Sequence, residues 1–193
     1  MLFRFMTTGL ALVREQVRIA QGETISVQQA DLRQTGHALE CRIYAEVPEE
    51  NFRPDVGTIA VYRPPLGPGV RLDSGVQEGS VVGFDYDPML AKLVVWAPTR
   101  TAAIERMGRA LNEFVLLGVR NNIEFLNRVI SHEEFRAGRF DTHFLEAHPE
   151  LLNPGDRPVP HEALIAAALG STSQAVRHTP TAGSTLEIGR AHV

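Results

Sequence analysis

Residues 64–96 read PPLGPGVRLDSGVQEGSVVGFDYDPMLAKLVVW, and the architecture of the whole chain can be built outward from them. A turn rich in proline and glycine leads into 70–74, where apolar and polar residues alternate with the period of a β-strand. The apolar run 89–96 is interrupted only by Lys92 and predicts a second, buried strand. The stretch therefore predicts a sheet that presents the charged side chain of Arg71 on a rigid backbone.

A further strand is predicted upstream, because residues 37–46 alternate in the same way. The inward row begins with His37, and no second metal ligand stands at a useful spacing from this histidine, so we expect a structural role for it. Residues 57–63 predict another strand, and the connection 48–54 predicts a solvated loop that carries Glu49 and Glu50. The expected inward side chains after His37 are Leu39, Cys41, Ile43 and Ala45, and the expected outward ones are Glu40, Arg42, Tyr44 and Glu46.

After Trp96 the pattern changes from strands to helices. Pro98 with Thr99 or Thr101 predicts a helix start, and Asn121 or Asn122 predicts the cap of a second helix after a short strand at 115–119. The expected buried side chains are Ile104, Met107, Leu111 and Phe114 in the first helix and Ile123, Leu126 and Ile130 in the second. Strands followed by two amphipathic helices predict an α+β fold, an antiparallel sheet with helices packed on one face.

The amino-terminal region predicts one more helix. Apolar residues recur at helical spacing from Leu10 to Ala20, with Thr8 as the expected N-cap and Gly22 as the expected stop. Residues 1–6 are too short for a signal sequence, and no segment approaches the length of a membrane span. We therefore expect a cytoplasmic protein, or one of the mitochondrial matrix in a eukaryote, without a membrane partner.

Composition excludes several functions. The chain has 193 residues and a formal charge of −4, and no stripe of basic and aromatic residues indicates a nucleic-acid partner. Lys92 is the only lysine among 19 basic residues, so few side chains could bind nucleotide phosphates in the way lysines do. Cys41 is the only cysteine, which excludes an internal disulfide and favours a buried thiol in a reducing compartment.

Several blocks of the sequence, in this order, resemble the C-terminal domain of biotin carboxylase, in particular that of the biotin-containing α subunit of acyl-CoA carboxylases of the acetyl-, propionyl- or methylcrotonyl-CoA type. The likeness extends over roughly 8–150. The blocks are TGL at 8–10, LVREQ at 12–16, GHALECRI at 36–43, NFRP at 51–54, GVRLDSGVQEG at 69–79, DYDPMLAKLVVW at 85–96 and GVRNN at 118–122.

The resemblance implies an ATP-dependent ligase in which ATP, bicarbonate and Mg²⁺ serve to carboxylate a protein-linked biotin. The implied partners are a biotin carboxyl carrier domain, a second copy in a homodimer and a carboxyltransferase subunit. It also implies that 1–24 is a remnant of the ATP-grasp region and that 25–150 is the biotin carboxylase C-terminal domain, while the composition of 151–193 predicts a linker with a disordered or non-native tail. Because most nucleotide ligands of the family would precede Thr8, we expect a truncated chain that is inactive alone.

Arg71 is the one residue to which the resemblance gives a catalytic and cofactor-binding role, facing biotin and bicarbonate. A guanidinium keeps its charge at working pH and offers paired donors to a planar oxyanion. The alternative interpretation is a surface salt bridge with Asp73.

No metal site is assigned from the sequence. Asp85 and Asp87 suit a hard cation, but the resemblance implies metal carboxylates upstream of Thr8, so Asp87 is expected to hold its loop or a helix start. Lys92 is interpreted as a side chain that reaches out from an edge strand, and its neighbours do not match those of a biotin-accepting lysine. No phosphate-binding loop motif surrounds the glycines Gly67, Gly69 and Gly79.

Two alternatives stay open. The chain could act only as a dimerisation or docking module, or the lobe could belong to pyruvate carboxylase. Beyond Glu150 we expect a linker at 153–160, a short helix at 162–169, disorder from 170 onward, and a non-native end at 188–193.

Overall fold

The computed structural model describes residues 2–153 together with 155, 161, 164 and 165. The chain divides into two compact units, Met1–Asn153 and Pro154–Val193. The predictions of a linker, a short helix and a disordered tail concern residues 151–193, most of which lie outside the described residues.

Within 2–153 the first unit contains α-helices and β-strands joined by turns. The strands are β1 (His37–Tyr44), β2 (Glu46–Val47), β3 (Arg53–Pro54), β4 (Gly57–Thr58), β5 (Val61–Arg63), β6 (Val70–Ser74), β7 (Val81–Val82), β8 (Met89–Ala97) and β9 (Val115–Leu117). The α-helices are α1 (Leu2–Thr8), α2 (Leu12–Ala20), α3 (Arg100–Glu113), α4 (Ile123–Ser131), α5 (Glu133–Ala137) and α6 (Phe144–Ala147).

The central sheet has three antiparallel strands in the order β1-β8-β6. Leu93 of β8 lies opposite Cys41 of β1 on one side and opposite Leu72 of β6 on the other, so these three side chains share one face. That face carries the core, because it packs with the buried stripe of α3 and with Ile130 of α4. The predicted α+β fold is confirmed, with an antiparallel sheet and the two helices α3 and α4 packed on one face.

Helix α3 begins where the sequence predicts. Thr99 is its N-cap, and its Oγ1 accepts a hydrogen bond from the Ala102 N–H at 3.2 Å, which satisfies one of the unpaired donors of the first turn. The predicted stripe of Ile104, Met107 and Leu111 is buried. Helical spacing therefore located both the start and the inward face of this helix.

The predicted strand at 57–63 is divided in two. β4 pairs with β7, whereas β5 pairs with β9, so the segment changes partner at Ile59 and Ala60. Gly118 follows β9 with φ +109°, and a Cβ on it would lie 2.1 Å from the Thr58 carbonyl oxygen. Only glycine allows the two backbones to approach this closely.

The amino-terminal prediction was wrong in its details. Thr8 ends α1, where its Oγ1 donates to the Arg4 carbonyl at 2.7 Å, and α2 begins after Ala11. Gly22 follows the end of α2 with φ +86°, as expected of a helix stop. The buried residue of α2 is Glu15, while Val13 and Val17 of the apolar row are exposed.

Helix α1 contacts β1 and β8, the same two strands that α3 contacts. Val94 is fully buried although it alternates with Leu93 and Val95, which both point into the core, so α1 covers part of the opposite, outer face. No helix in the described part of the chain has the length and apolar character needed to cross a membrane.

Candidate functional site

The outer face of the central sheet carries two rows of charged side chains. In one row Arg71 and Glu40 flank Val94, and in the other Asp73 and Arg42 flank Lys92. Since side chains of one strand that are two residues apart share a face, all the charged members of the two rows project to the same side. The sheet thereby places Arg71 in a charged neighbourhood drawn from three strands.

Arg71 donates from Nε to Asp73 Oδ1 at 3.0 Å, and its side chain is 48% exposed. Within residues 2–153, neither terminal nitrogen of the guanidinium makes a hydrogen bond to the protein. The carboxylate therefore holds the Nε side of the guanidinium, and the donors of the two terminal nitrogens stay without a hydrogen-bond partner among residues 2–153. The salt bridge that was considered as an alternative to a site is present, and it leaves these donors available.

Lys92 lies on β8, the central strand, so the interpretation of an edge-strand lysine was wrong. Its Nζ lies 3.8 Å from Asp73 Oδ2. Asp73 thus contacts one cation with each carboxylate oxygen. Two positive groups, Arg71 and Lys92, lie on either side of a single negative charge, and this excess suits an anionic ligand better than a metal ion.

The opposite end of the face is held by local pairs. Arg42 Nε donates to Glu40 Oε1 at 3.2 Å, and hydrogen bonds to Tyr44 and then to Glu40 raise the pKa of Arg42 above its ordinary value. Arg42 is therefore already engaged by its own strand. Arg71 is held by a carboxylate of its own strand in the same way, and the two side chains are similarly exposed, 48% for Arg71 and 58% for Arg42.

The turn before β6 sets the position of Arg71. Gly69 has φ +72°, and a Cβ there would lie 2.7 Å from the Trp96 carbonyl oxygen. Arg106 of α3 donates to that same carbonyl, and the Trp96 N–H donates to the Gly69 carbonyl at 2.9 Å. Gly69 is thus a structural glycine that brings β6 against β8, two residues before Arg71.

A buried amide fastens the other end of β1. Asn122 Oδ1 accepts from the Tyr44 N–H at 3.0 Å, and its Nδ2 donates to the Arg42 carbonyl at 3.1 Å and to Glu46 Oε1 at 3.0 Å. Burial raises the pKa of Glu46 above its ordinary value, against the opposing effect of the Asn122 hydrogen bond. Asn122 is the N-cap residue of α4, but its side chain holds β1, and Asn121 Oδ1 accepts from the Ile123 N–H instead.

The remaining candidates have structural positions. Asp87 Oδ1 accepts from the Met89 N–H at 2.8 Å, so it holds the loop before β8 and starts no helix. Cys41 is buried in the core, and burial raises the pKa of its thiol to about 12. His37 was expected to point inward, but it is exposed at the start of β1. The structure does not bring His37, Cys41 or Asp87 into contact with Arg71.

Sequence reasoning missed the partners of the 48–54 loop. Glu50 accepts from Arg53 at 2.6 Å and from Arg120 at 2.8 Å, and Glu49 pairs with Arg128 at 3.0 Å. These carboxylates were predicted to be merely solvated. Arg120 and Arg128 are more than 60 residues away in the chain, so no local pattern could identify these pairs.

A family model and the curated relatives of this chain point to the same protein family. Residues 40–147 match the family model of the biotin carboxylase C-terminal domain. The chain is 42% identical over 166 residues to the alpha subunit of the mitochondrial methylcrotonoyl-CoA carboxylase of Rattus norvegicus, covering 86% of this chain and 23% of the relative. It is 46% identical over 155 residues to a pyruvate carboxylase subunit from Methanothermobacter thermautotrophicus, covering 80% of this chain and 32% of the relative.

A solved structure agrees in fold. The biotin carboxylase domain dimer of Hydrogenobacter thermophilus 2-oxoglutarate carboxylase, in complex with MgADP, ADP and bicarbonate, superposes with a TM-score of 0.73 at 39% identity, covering 79% of this chain and 34% of that one. The chain spans about a quarter to a third of the length of the two curated relatives. The family model matches more than half of the residues of this chain, so the chain belongs to the biotin carboxylase C-terminal domain family.

Proposed function

We propose that this chain is the C-terminal lobe of a biotin carboxylase, an ATP-dependent ligase that carboxylates protein-linked biotin with bicarbonate. The observation that carries the proposal is the half-exposed side chain of Arg71, held through Nε by Asp73, whose terminal nitrogens make no hydrogen bond within residues 2–153. Family membership supports the reaction class.

Arg71 would bind the planar anion of the reaction. Paired N–H donors match the two oxygens of a carboxylate-like anion, and a fixed cation stabilises negative charge that develops on an oxygen. Asp73 would act as a positioning residue, because it limits the rotation of the guanidinium. Lys92 would add positive potential at the same place.

The cofactors fit this face unequally. Bicarbonate, or the ureido oxygen of biotin, fits an exposed guanidinium. ATP with Mg²⁺ does not fit the outer face, since its one lysine and the Asp73 carboxylate already contact each other. We assign ATP and Mg²⁺ to regions of the full-length enzyme other than this face, and the MgADP in the complex of the Hydrogenobacter domain is consistent with use of this nucleotide in the family.

For the parent enzyme we propose the α subunit of an acyl-CoA carboxylase. The methylcrotonoyl-CoA carboxylase relative, matched over 86% of the chain, supports this choice. The pyruvate carboxylase relative, matched over 80% at higher identity, keeps that parent as the alternative. In either parent the partners would be a biotin carboxyl carrier domain and a carboxyltransferase, in the cytoplasm or the mitochondrial matrix.

We also propose the domain boundaries implied by the resemblance, with 25–150 as the lobe itself and 1–24 as a helix-containing extension of the ATP-grasp region. Exposed apolar side chains on the extension support a neighbouring surface: Phe5 is 44% exposed, Val13 58% and Val17 53%. This row also favours the second candidate function, a docking or dimerisation module, in which the lobe contributes contacts and no chemistry.

The test is made in a full-length biotin carboxylase that carries this lobe. Arg71→Ala is expected to lower biotin carboxylation roughly a hundredfold or more, the scale of losing one oxyanion donor, with little change in ATP affinity. Arg53→Ala is the matched control, because Arg53 is also about half exposed and bonded through Nε to a carboxylate. Wild-type turnover in Arg71→Ala would favour the docking module instead.

The isolated chain supplies a second measurement. Titration calorimetry with ATP and Mg²⁺ is expected to show no binding, since the nucleotide is assigned elsewhere. Micromolar affinity in the isolated chain would contradict that assignment.

A further inference from the structure

A cluster of two histidines and two glutamates lies at the carboxyl-terminal edge of the lobe, away from the outer face of the sheet. His132 is the N-cap of α5, Glu134 lies in its first turn, and His148 follows α6. Glu150 lies in the 3-10 turn Pro149–Leu151. Three separate elements therefore contribute side chains to one place, which neither the motif blocks nor the proposed reaction uses.

The hydrogen bonds of His148 make its position unusual. Its Nδ1 lies 3.1 Å from Glu150 Oε1, and its Nε2 lies 3.0 Å from Glu134 Oε2. If Nδ1 carries the proton toward Glu150, Nε2 and the Glu134 oxygen are two acceptors that face each other, and a cation must lie between them. In the metal-free protein a proton on Nε2 fills this position and forms the hydrogen bond to Glu134.

His132 supplies a third ligand. The His132 and His148 ring centroids are 4.2 Å apart, and one ligand atom from each of His132, Glu134 and His148 lies within 4.8 Å of the others. His132 Nδ1 accepts the Glu134 N–H at 3.3 Å, and ligation of a metal by either ring nitrogen would replace this hydrogen bond, because a neutral imidazole has only one nitrogen with a free lone pair. The two histidine side chains are 24% and 18% exposed, which leaves an opening through which an ion can enter.

The surroundings favour metal binding over a chance cluster. The buried ring of Phe144 packs against both histidines, with centroid distances of 5.4 Å to His132 and 4.7 Å to His148. An apolar wall lowers the local dielectric and restrains both rings. Glu150 holds the far nitrogen of His148, the position that an outer-shell carboxylate takes behind a metal-bound histidine.

From this geometry we propose that His132, Glu134 and His148 form a zinc site, with Glu150 orienting His148 and water completing the coordination. Two imidazoles and one carboxylate are a ligand set that Zn²⁺ prefers. Tetrahedral ligands about 2.0–2.1 Å from zinc lie about 3.4 Å apart, close to the 3.0 Å already present between His148 Nε2 and Glu134 Oε2. Zinc takes the place of the shared proton, and His132 moves inward to complete the set.

The site would tie α5 to the end of α6. Binding of an ion to the folded state alone stabilises that state in proportion to the logarithm of the ion concentration. The consequence is a lobe whose carboxyl-terminal edge is more resistant to unfolding when zinc is present. This proposal does not depend on the biotin carboxylase reaction.

The test uses the whole chain and zinc sulfate alone. After dialysis against about 50 µM Zn²⁺ and removal of free ion, metal analysis is expected to find about one zinc per chain, with a higher thermal midpoint than that of the chelator-treated protein. His148→Gln and His132→Gln are expected to lose the bound zinc and the zinc-dependent shift. His37→Gln is the matched control, because His37 is an exposed histidine on β1 outside the cluster.

A spectroscopic arm separates zinc ligation from loss of fold. Wild-type protein loaded with Co²⁺ is expected to show the strong visible absorption of a four-coordinate site, and stoichiometric Zn²⁺ is expected to abolish it. Zinc content that stays the same in both cluster variants, or wild-type protein that retains no zinc and gives only the weak spectrum of hydrated Co²⁺, would overturn the proposal.

Discussion

Arg71 Nε lies 3.0 Å from Asp73 Oδ1, two residues along the same strand and on the same face of the sheet. Because alternate residues of a strand share a face, the two side chains are close enough for this contact to form. The same carboxylate lies 3.8 Å from Lys92 on the neighbouring strand. Asp73 therefore contacts both Arg71 of its own strand and Lys92 of the neighbouring strand.

We expect Asp73→Asn to separate stability from activity. An exposed ion pair contributes about 0–1 kcal/mol, so the free energy of unfolding, measured by denaturant titration, is expected to fall by no more than about 1 kcal/mol. In a full-length enzyme, carboxylation is expected to fall while the KM for ATP stays unchanged, because the neutral amide oxygen of asparagine restrains the guanidinium less than the carboxylate does. Glu50→Gln is the control, since Glu50 also bridges two cations, Arg53 and Arg120. Equal activity loss in both variants would contradict a positioning role for Asp73.

Gly118→Ala is expected to destabilise the lobe strongly. Its φ of +109° is unfavourable for alanine, and the added Cβ would lie 2.1 Å from the Thr58 oxygen and 2.6 Å from the Ala60 nitrogen. We expect the free energy of unfolding, measured by denaturant titration, to fall by more than about 3 kcal/mol. The alanine backbone would be strained at this φ, and the neighbouring backbone would also have to move away from the new Cβ. Gly79→Ala, with φ +84° and nothing within 4 Å of the Cβ position, is expected to lose only about 1–2 kcal/mol. Similar losses in the two variants would show that the close approach is unimportant.

The Cys41 thiol is expected to resist alkylation in the native protein at pH 8. Burial raises its pKa to about 12, so almost no thiolate is present at that pH, and the core excludes the reagent. Because the folded pKa lies above the unfolded one, this group stabilises the fold below about pH 8.5 and progressively less as pH rises toward about 12. The measurement is the rate of Cys41 alkylation at pH 8 in native and in denatured protein, and equal rates in the two would contradict the prediction.

Glu15 is expected to make the amino-terminal helix sensitive to acid. Its carboxylate accepts from the Ser26 N–H at 2.9 Å and from Ser26 Oγ at 2.7 Å, and these bonds lower the pKa of Glu15. A depressed folded pKa stabilises the protein above the ordinary value of 4.5, and that contribution disappears as pH falls through the folded pKa. Glu15→Gln is therefore expected to be less stable than wild type at pH 7, with the difference shrinking below pH 4.5 in thermal unfolding. A difference independent of pH would contradict the carboxylate's role.

Local patterns predicted much of the fold because they depend on neighbours in the chain. The alternation around Cys41, the N-cap at Thr99 and the buried stripe of α3 were all correct. Thr8 failed as an N-cap because the preceding residues continue α1 up to it. The edge-strand interpretation of Lys92 failed because strand order is not encoded in the strand itself.

The sequence by itself determined the family and the alternation that puts Arg71 and Asp73 on one face. Tertiary structure alone decided that β8 is central, which brings Lys92 to Asp73, and that Asn122 fastens β1 from 78 residues away. It also assembled His132, Glu134 and His148 from separate elements. The physical reason is range: periodicity and capping act within a few residues, whereas ion pairs and ligand clusters form only after distant segments have packed.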